Sequence, residues 1–338
     1  CRYTPDICLT LLWCTSVCGL MIRLQSLRES SKPMADVTFV TYDGLPLGDP
    51  DDQLALDILR ASGLDCTTTD WLNGAQAFRA SKITVLRSCW NYHMHLPRFR
   101  NFLEEVAACS HLLNPLAMVQ DNLKKTYLCE LARSGLPVCP TAVVERPEEL
   151  SPELLLSRLA LLSQEGFDGA GTFIIKPAVG LATWGVKKVD LDGADGGAAL
   201  KTMLAHMQYL REQSPDGDVL LQPYLPQVEK ERERALVFID GEYSHAVSKS
   251  AFQHLAVAGQ AGESPLQAEP AEIELARRVL ATLPSPPLYA RVDLVPASAS
   301  GGALLLELEL TEPSLFLSMK EGSAERFARA IQKRLKSL

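Results

Sequence analysis

The sequence is short of paired cysteines, of positive charge and of any apolar run long enough to span a bilayer, and each shortage closes a class of function. Nine cysteines are present, but four of them (Cys1, Cys8, Cys14 and Cys18) fall in the first eighteen residues. Cys66, Cys89, Cys109, Cys129 and Cys139 are scattered, with no CxxC or Cys/His spacing. That pattern supports neither a disulfide framework nor a zinc site, and reads as reduced intracellular thiols. The net charge of −8 argues against a nucleic-acid surface. An acidic chain that binds phosphates has to gather its lysines and arginines locally, so their positions matter more than their sum. The run from Ile7 to Ile22 is short for a membrane span and lacks a basic flank or a clear cleavage site. Residues 1–33 are therefore expected to be an extension, disordered or an artefact of gene prediction, with a signal anchor as the alternative. Folding is expected to begin at Met34, and residues 34–338 to be cytoplasmic with no membrane partner. There are no internal repeats.

What is present is ordinary for a soluble globular protein, at 47% hydrophobic and 22% charged, and long enough for two or three cores. From Met34, short β-like runs alternate with helical stretches. VTFVTYD is a strand, DDQLALDILRASG a helix ended by Gly63, LDCTTTDW and ITVLRS two further strands, and PRFRNFLEEVAACS a helix with proline in its first turn. This grammar predicts an open parallel sheet with ligands beyond the carboxyl ends of its strands, where Asp43 and the run Arg87–Tyr92 fall. A second unit holds a helix from Asn122 to Ser134, a strand Thr141–Val144, a helix from about Pro147 to Gln164, and the strands FIIKP and GVKKVDL. A third starts at DVLLQPYL and contains a hairpin turning at Asp240–Gly241. The Gly/Ala/Ser/Pro-rich stretch Ala256–Pro270 reads as a mobile loop. Helix Ala271–Leu283, two strands and a helix from Glu321 to Leu338 complete the chain.

Those last two strands are unusual. LLLELELTEPS puts Glu307 and Glu309 on one face, with Leu306, Leu308 and Leu310 on the other, and LYARVDLV places Arg291 and Asp293 together in the same way. One reading is a solvated sheet face. The other is a divalent cation held by carboxylate oxygens, as Mg²⁺ is when it bridges protein and nucleotide phosphates. Upstream, Lys125 follows Asn122, and Lys176 ends a β-branched strand before PAVGLATWG, whose Gly180 and Gly185 suit a loop folding over phosphates. Cations for phosphates are thus followed in the chain by anions for a bridging metal.

In NLKKTYL, FIIKPAVG, LQPYLP, VFIDGEYSHAVSK, ARVDLV and LELELTEPSLF, the chain resembles the ATP-grasp superfamily from Met34 to its end. The likeness is to glutathione-synthetase-type members, including the branch with the cycloserine-forming ligase. The resemblance implies an α/β ATP-grasp fold: an open parallel α/β sheet domain (34–115) building the substrate end, a small ATP-grasp subdomain (116–190), and a C-terminal subdomain (191–338) with the Mg²⁺–ATP floor. It implies that Lys125, Lys176 and Gly180 contact ATP phosphates, that Gln222, Pro223, Tyr224 and Leu225 read the adenine edge, and that Glu233 lies near the ribose or metal. Asp293, Glu307 and Glu309 would coordinate Mg²⁺ or Mn²⁺. Arg291 would stabilise the transferring phosphoryl group, and Lys249 with His245 would line the acceptor junction. Asp43, Arg87, Ser88 and Asn91 would meet the substrate, Arg87 by pairing with its carboxylate. Trp90 and Tyr92 fit packing as well as stacking.

The sequence departs from the pattern at Arg232 and Ala235, where relatives carry glycine and a polar or cationic group, at Trp184 in the lid, and at Glu309, where many have asparagine. The implied activity is an ATP-dependent carboxylate–amine (or thiol) ligase acting through an acyl phosphate on a small amino-acid- or peptide-like substrate. A ring-closing reaction is one form of it. Members of the superfamily are commonly dimers or larger, which makes a homo-oligomer one expectation. A turnover-free ATP-binding regulatory protein and a ligase of protein termini are the alternatives.

Overall fold

The computed structural model describes residues 35–164, 171–192, 196–250, 262–297 and 302–338. The expectations for residues 1–34, and for 256–261 of the predicted mobile loop, lie outside the described residues. The first unit is a four-stranded parallel sheet, β1 (Ala35–Thr41), β2 (Cys66–Asp70), β3 (Ser81–Leu86) and β4 (His111–Leu113), in the order β2-β1-β3-β4. Helix α1 (Pro50–Ala61) begins where the Asp49 side chain accepts from the Asp51 amide and Pro50 presets the first turn. Val37 and Phe39 face a core with α1, while Val40 and Leu86 face the core of α2 (Leu96–Ala107). Because β1 connects to neighbours on both sides, the crevice for a ligand opens past the ends of β1 and β3.

The chain continues through α3 (Leu116–Asn122) and α4 (Tyr127–Arg133). The expected single helix from Asn122 is broken over 123–126, so Lys125 sits in the break, its amide donating to the Ala178 carbonyl at 2.8 Å. Next come β5 (Ala142–Val144), α5 (Pro152–Gln164), β6 (Thr172–Pro177), β7 (Lys187–Asp190), α6 (Gly196–Gln213) and β8 (Val219–Pro223). Their antiparallel sheet has the order β5-β8-β6-β7. It crosses the boundary expected at 190, because β8 pairs between β5 and β6. Helix α6, which the sequence reading passes over, packs Met203, Met207 and Leu210 beneath this sheet.

The third sheet joins β9 (Glu233–Ile239), β10 (Glu242–Lys249), β11 (Glu263–Leu266), β12 (Tyr289–Pro296) and β13 (Ala303–Glu309) in the order β11-β10-β9-β12-β13. The Asp240–Gly241 hairpin turn has positive φ at both residues, as a two-residue loop between twisted strands demands. Residues 263–266 of the predicted loop are edge strand β11. Helix α7 (Pro270–Leu280) covers one face. On the other, α8 (Ser323–Lys336) inserts Phe327 against Phe39 of the first sheet and Tyr289 of the third, ring centroids 6.1 Å apart in both cases. The terminal helix is therefore the shared core of two units.

Candidate active site

The floor of the site is the charged face of β12 and β13. Arg291 pairs opposite Glu309, and Asp293 opposite Glu307. The pleat is not regular: two residues of β13 oppose one of β12 between Asp293 and Leu294, a bulge that turns Leu306 to the same side as Glu307. Leu306 then packs with Cys139 and Leu225, while Leu305, Leu308 and Leu310 enter the core beneath. The expected face for Leu306 is thus reversed, and the reversal builds an apolar wall beside the carboxylates.

Each floor charge is held by an opposite one. Arg291 donates to both Asp293 oxygens at 2.8 and 3.0 Å and also to Glu309. Lys249 reaches Asp293 at 2.5 Å and Glu233, its partner across β9, at 2.9 Å. Residue 235 lies opposite both Val247 and Asp293, so its small alanine leaves the path open for that lysine. Lys125 bonds Glu307 at 2.9 Å and the Gly180 carbonyl at 2.5 Å. Against the cost of burial, Arg291 and Lys249 hold the Asp293 carboxyl down to about 2. Burial pushes Glu309 up to about 7 despite Arg291, with Glu307 and Asp293 adding repulsion. Lys176 makes no ion pair among the described residues. Burial, reinforced by Lys125 and only partly offset by Glu307, holds its ammonium below the ordinary lysine value.

These groups line one cavity of about 710 Å³ between the second and third sheets. Lys125, Lys176, Gly180, Gln222–Leu225, Glu233, Lys249, Arg291, Asp293, Glu307 and Glu309 all border it. At the apolar end, Gln222 donates to the Thr141 hydroxyl at 2.8 Å, and Lys188 sits 3.4 Å over the Tyr224 ring. Trp184 closes another side, packed on His93 of the first unit at 5.4 Å.

The residues expected to meet substrate from the first unit behave differently. Asp43, Arg87, Ser88, Asn91 and His245 are not among those bordering the cavity. Arg87 is sealed: it donates to Asp52 at 2.7 Å and to the Pro313 carbonyl at 2.9 Å, and stacks on Tyr289 at 5.0 Å. Its Nε and Nη2 are spent inside, its Nη1 is buried without a hydrogen-bond partner, and only 3% of the side chain is exposed, so Arg87 is closed off from a substrate carboxylate in the cavity. Ser88 donates to the same Asp52 at 3.0 Å. Asn91 accepts from Trp71 at 2.7 Å and donates to the exposed Asp43 at 3.4 Å. His245 is buried against the Leu315 and Phe316 carbonyls at 3.0 and 3.1 Å.

Arg87 and His245 instead share a task with Tyr289, Trp90 and Arg291, one that sequence reasoning missed. Consecutive carbonyls after β13 are held by side chains: Thr311 by Tyr289 at 2.8 Å, Glu312 by Trp90 at 3.1 Å, Pro313 by Arg87, Ser314 by Arg291 at 3.2 Å, and Leu315 and Phe316 by His245. Asn122 and Tyr127 pin β13 itself through the Leu308 and Leu310 backbone. Glu312, Trp90 and Tyr92 border the cavity, and Glu312 is a second omission of the sequence reading. Its signal is a carboxylate at a Pro turn directly after the metal-type strand. Burial, with Glu309 nearby, pushes its carboxyl up to about 8.

A magnesium–nucleotide complex fits this donor set. Among the described residues no three carboxylates converge tightly enough to grip an ion by themselves. Mg²⁺ bound with phosphates, however, needs only one or two carboxylates from protein. Asp293, Glu307 and Glu309 would hold it, with Lys176 turned to the phosphates.

Residues 37–114 match the family described as the D-cycloserine synthetase DcsG, N-terminal domain. The cycloserine biosynthesis protein DcsG of Streptomyces lavendulae is 33% identical over 309 residues, covering 88% of this chain and 95% of that protein. The crystal structure of D-cycloserine synthetase DcsG superposes with a TM-score of 0.74 at 30% identity, over 88% of this chain and 99% of that one. D-alanine–D-alanine ligase from Bacillus anthracis, complexed with ATP, gives 0.57 at 14% identity, covering 90% and 97%, a likeness of fold alone. Fold and site together define an ATP-dependent ligase of the ATP-grasp class. Within that class, the chain belongs to the family of the cycloserine biosynthesis protein DcsG. No described helix is long and apolar enough to cross a membrane.

Proposed function

We propose that the enzyme activates the carboxylate of a small amino-acid-like substrate with ATP and joins it to an amine, in the ring-closing form when both groups belong to one molecule. The substrate carboxylate oxygen attacks the γ-phosphorus, giving an acyl phosphate and ADP. The amine nitrogen then attacks the acyl carbon, phosphate leaves, and the amine proton passes to solvent. Mg²⁺, or Mn²⁺ in its place, would be held by Asp293, Glu307 and Glu309 and would neutralise negative charge on the nucleotide. Lys125 and Lys176 would hold the phosphates, and Arg291 would offset charge on the transferring group. Gln222–Leu225 would take the adenine edge. No protein nucleophile is required; the task is positioning and charge neutralisation.

The observation that carries this reading is the shared border of Lys125, Lys176, Lys249 and Arg291 with Asp293, Glu307 and Glu309 around one cavity. The test incubates the full chain with Mg²⁺–ATP and pooled amino acids, and follows ADP and phosphate release. Substrate-dependent release that disappears in Glu307→Gln is expected. Absence of ATP binding would overturn the reading, and ATP binding without turnover on any pool would favour the regulatory alternative.

A further inference from the structure

The clamped segment after β13 brings one charged side chain to the cavity, and neither the metal floor nor the phosphate cations use it. Glu312, Ser314 and Phe316 alternate along the segment and all border the cavity. The carbonyl of each is fixed by a side chain from another element: Trp90 holds Glu312, Arg291 holds Ser314 and His245 holds Phe316. Six held carbonyls in a row leave the segment little freedom, which is how a binding group is pre-organised. The Glu312 carboxyl is bonded by the Tyr92 hydroxyl and its carbonyl by Trp90, and both aromatic residues border the cavity with it.

Glu312 makes no ion pair among the described residues: three of the four cations that border the cavity are engaged elsewhere, and the fourth, Lys176, is the one assigned to the nucleotide phosphates. Lys125 holds Glu307, Lys249 holds Glu233 and Asp293, and Arg291 holds Asp293 and Glu309. A carboxylate beside the Trp90 and Tyr92 rings and without a cation of its own suits a guest ammonium, which such rings favour as well. We infer that Glu312, flanked by Trp90 and Tyr92, seats a non-reacting ammonium group of the substrate, so that the enzyme selects a carboxylate that also carries a free amine. This rests on the ligase reading of the cavity. An amine held there as ammonium has no lone pair, so it is kept from competing with the amine that attacks the acyl phosphate. The carboxyl's upward shift agrees with a site that gains its charge when a cation arrives.

The test is calorimetric binding to the full chain with ADP and Mg²⁺, using D-cycloserine and isoxazolidin-3-one, which lacks only the amine. Wild type is expected to favour the amine-bearing ring by about tenfold or more. Glu312→Gln should abolish that preference while binding ADP as wild type does, and Glu312→Asp should keep part of it. ADP binding without a preference in wild type, or a preference that survives in Glu312→Gln, overturns the subsite and leaves the ligase reading standing. Failure of wild type to bind nucleotide overturns both.

Discussion

Two arginine–carboxylate clusters stand on the sheets of this protein, one just past the end of β3 and one along β12 and β13, and they do opposite things. At the edge of the first sheet, Arg87 and Asp52 keep only 3% and 2% of their side chains exposed. On the floor of the third, Glu307 and Glu309 keep 25% and 24%. The first cluster is shut, and its arginine serves as a strut between two sheets. The second opens on a cavity through Glu307 and Glu309, above an Arg291–Asp293 pair that keeps 7% and 1%, so its outer carboxylates are the ones able to exchange partners with a ligand. An arginine–carboxylate cluster does not by itself mark a site; access to its counter-charge does.

The largest expected effect breaks the closed cluster. Arg87→Met should lower stability by about 3–5 kcal/mol, because Asp52 is left buried and uncompensated. Denaturant midpoints check this, and adding Asp52→Asn should recover part of the loss. Asp293→Asn attacks the open cluster and should lower kcat/KM for ADP release by about 10²–10³-fold. Its effect on the midpoint should be smaller, since Arg291 retains Glu309 and Lys249 retains Glu233. If Asp293→Asn proved the more destabilising of the two, the contrast between strut and exchangeable pair would fail.

Much of the open cluster is legible because its signal is local. Arg-x-Asp and Glu-x-Glu declare a shared face within a few residues, and Lys125 and Lys176 stand in motifs of their own. The closed cluster is misread because its meaning is distant: Pro313, which Arg87 grips, lies 226 residues away. Nothing near Asp52 in the chain sets it apart from the other acids of the first helix. Leu306 is misplaced because a period of two cannot show a bulge. The break around Lys125 is hidden for a related reason, since its cause is the Ala178 carbonyl, which takes the Lys125 amide out of the helical ladder.

A third test lies where the two regions meet. His93 is buried against Trp184, and burial, with Lys125 and His95, lowers its pKa to about 4. Between that value and the ordinary histidine value near 6.5, the unfolded chain binds more protons than the folded one. Stability should therefore rise with pH through this window and fall as pH drops toward 4. His93→Gln should flatten that slope, by on the order of 1–3 kcal/mol across the window. Denaturation curves at about pH 4.5 and 7.5, near the two ends of that window, measure it, and an unchanged slope would remove His93 as the cause.

The smallest effect concerns how the floor is held from its edge. The Tyr127 hydroxyl both donates to the Leu308 carbonyl, at 2.8 Å, and accepts from the Leu308 amide, at 2.9 Å. Asn122 brackets the same strand at Leu308 and Leu310. Tyr127→Phe should cost about 1–2 kcal/mol, since Asn122 still holds the Leu308 carbonyl and the Leu310 amide but the Leu308 amide loses its partner. If both residues position Glu307 and Glu309 as one unit, Tyr127→Phe combined with Asn122→Ala should cost more than the sum of the two, and the affinity for Mg²⁺–ATP should fall with it. Strict additivity with unchanged affinity would mean that the floor is held by its own ion pairs, and that the edge contacts serve only the fold.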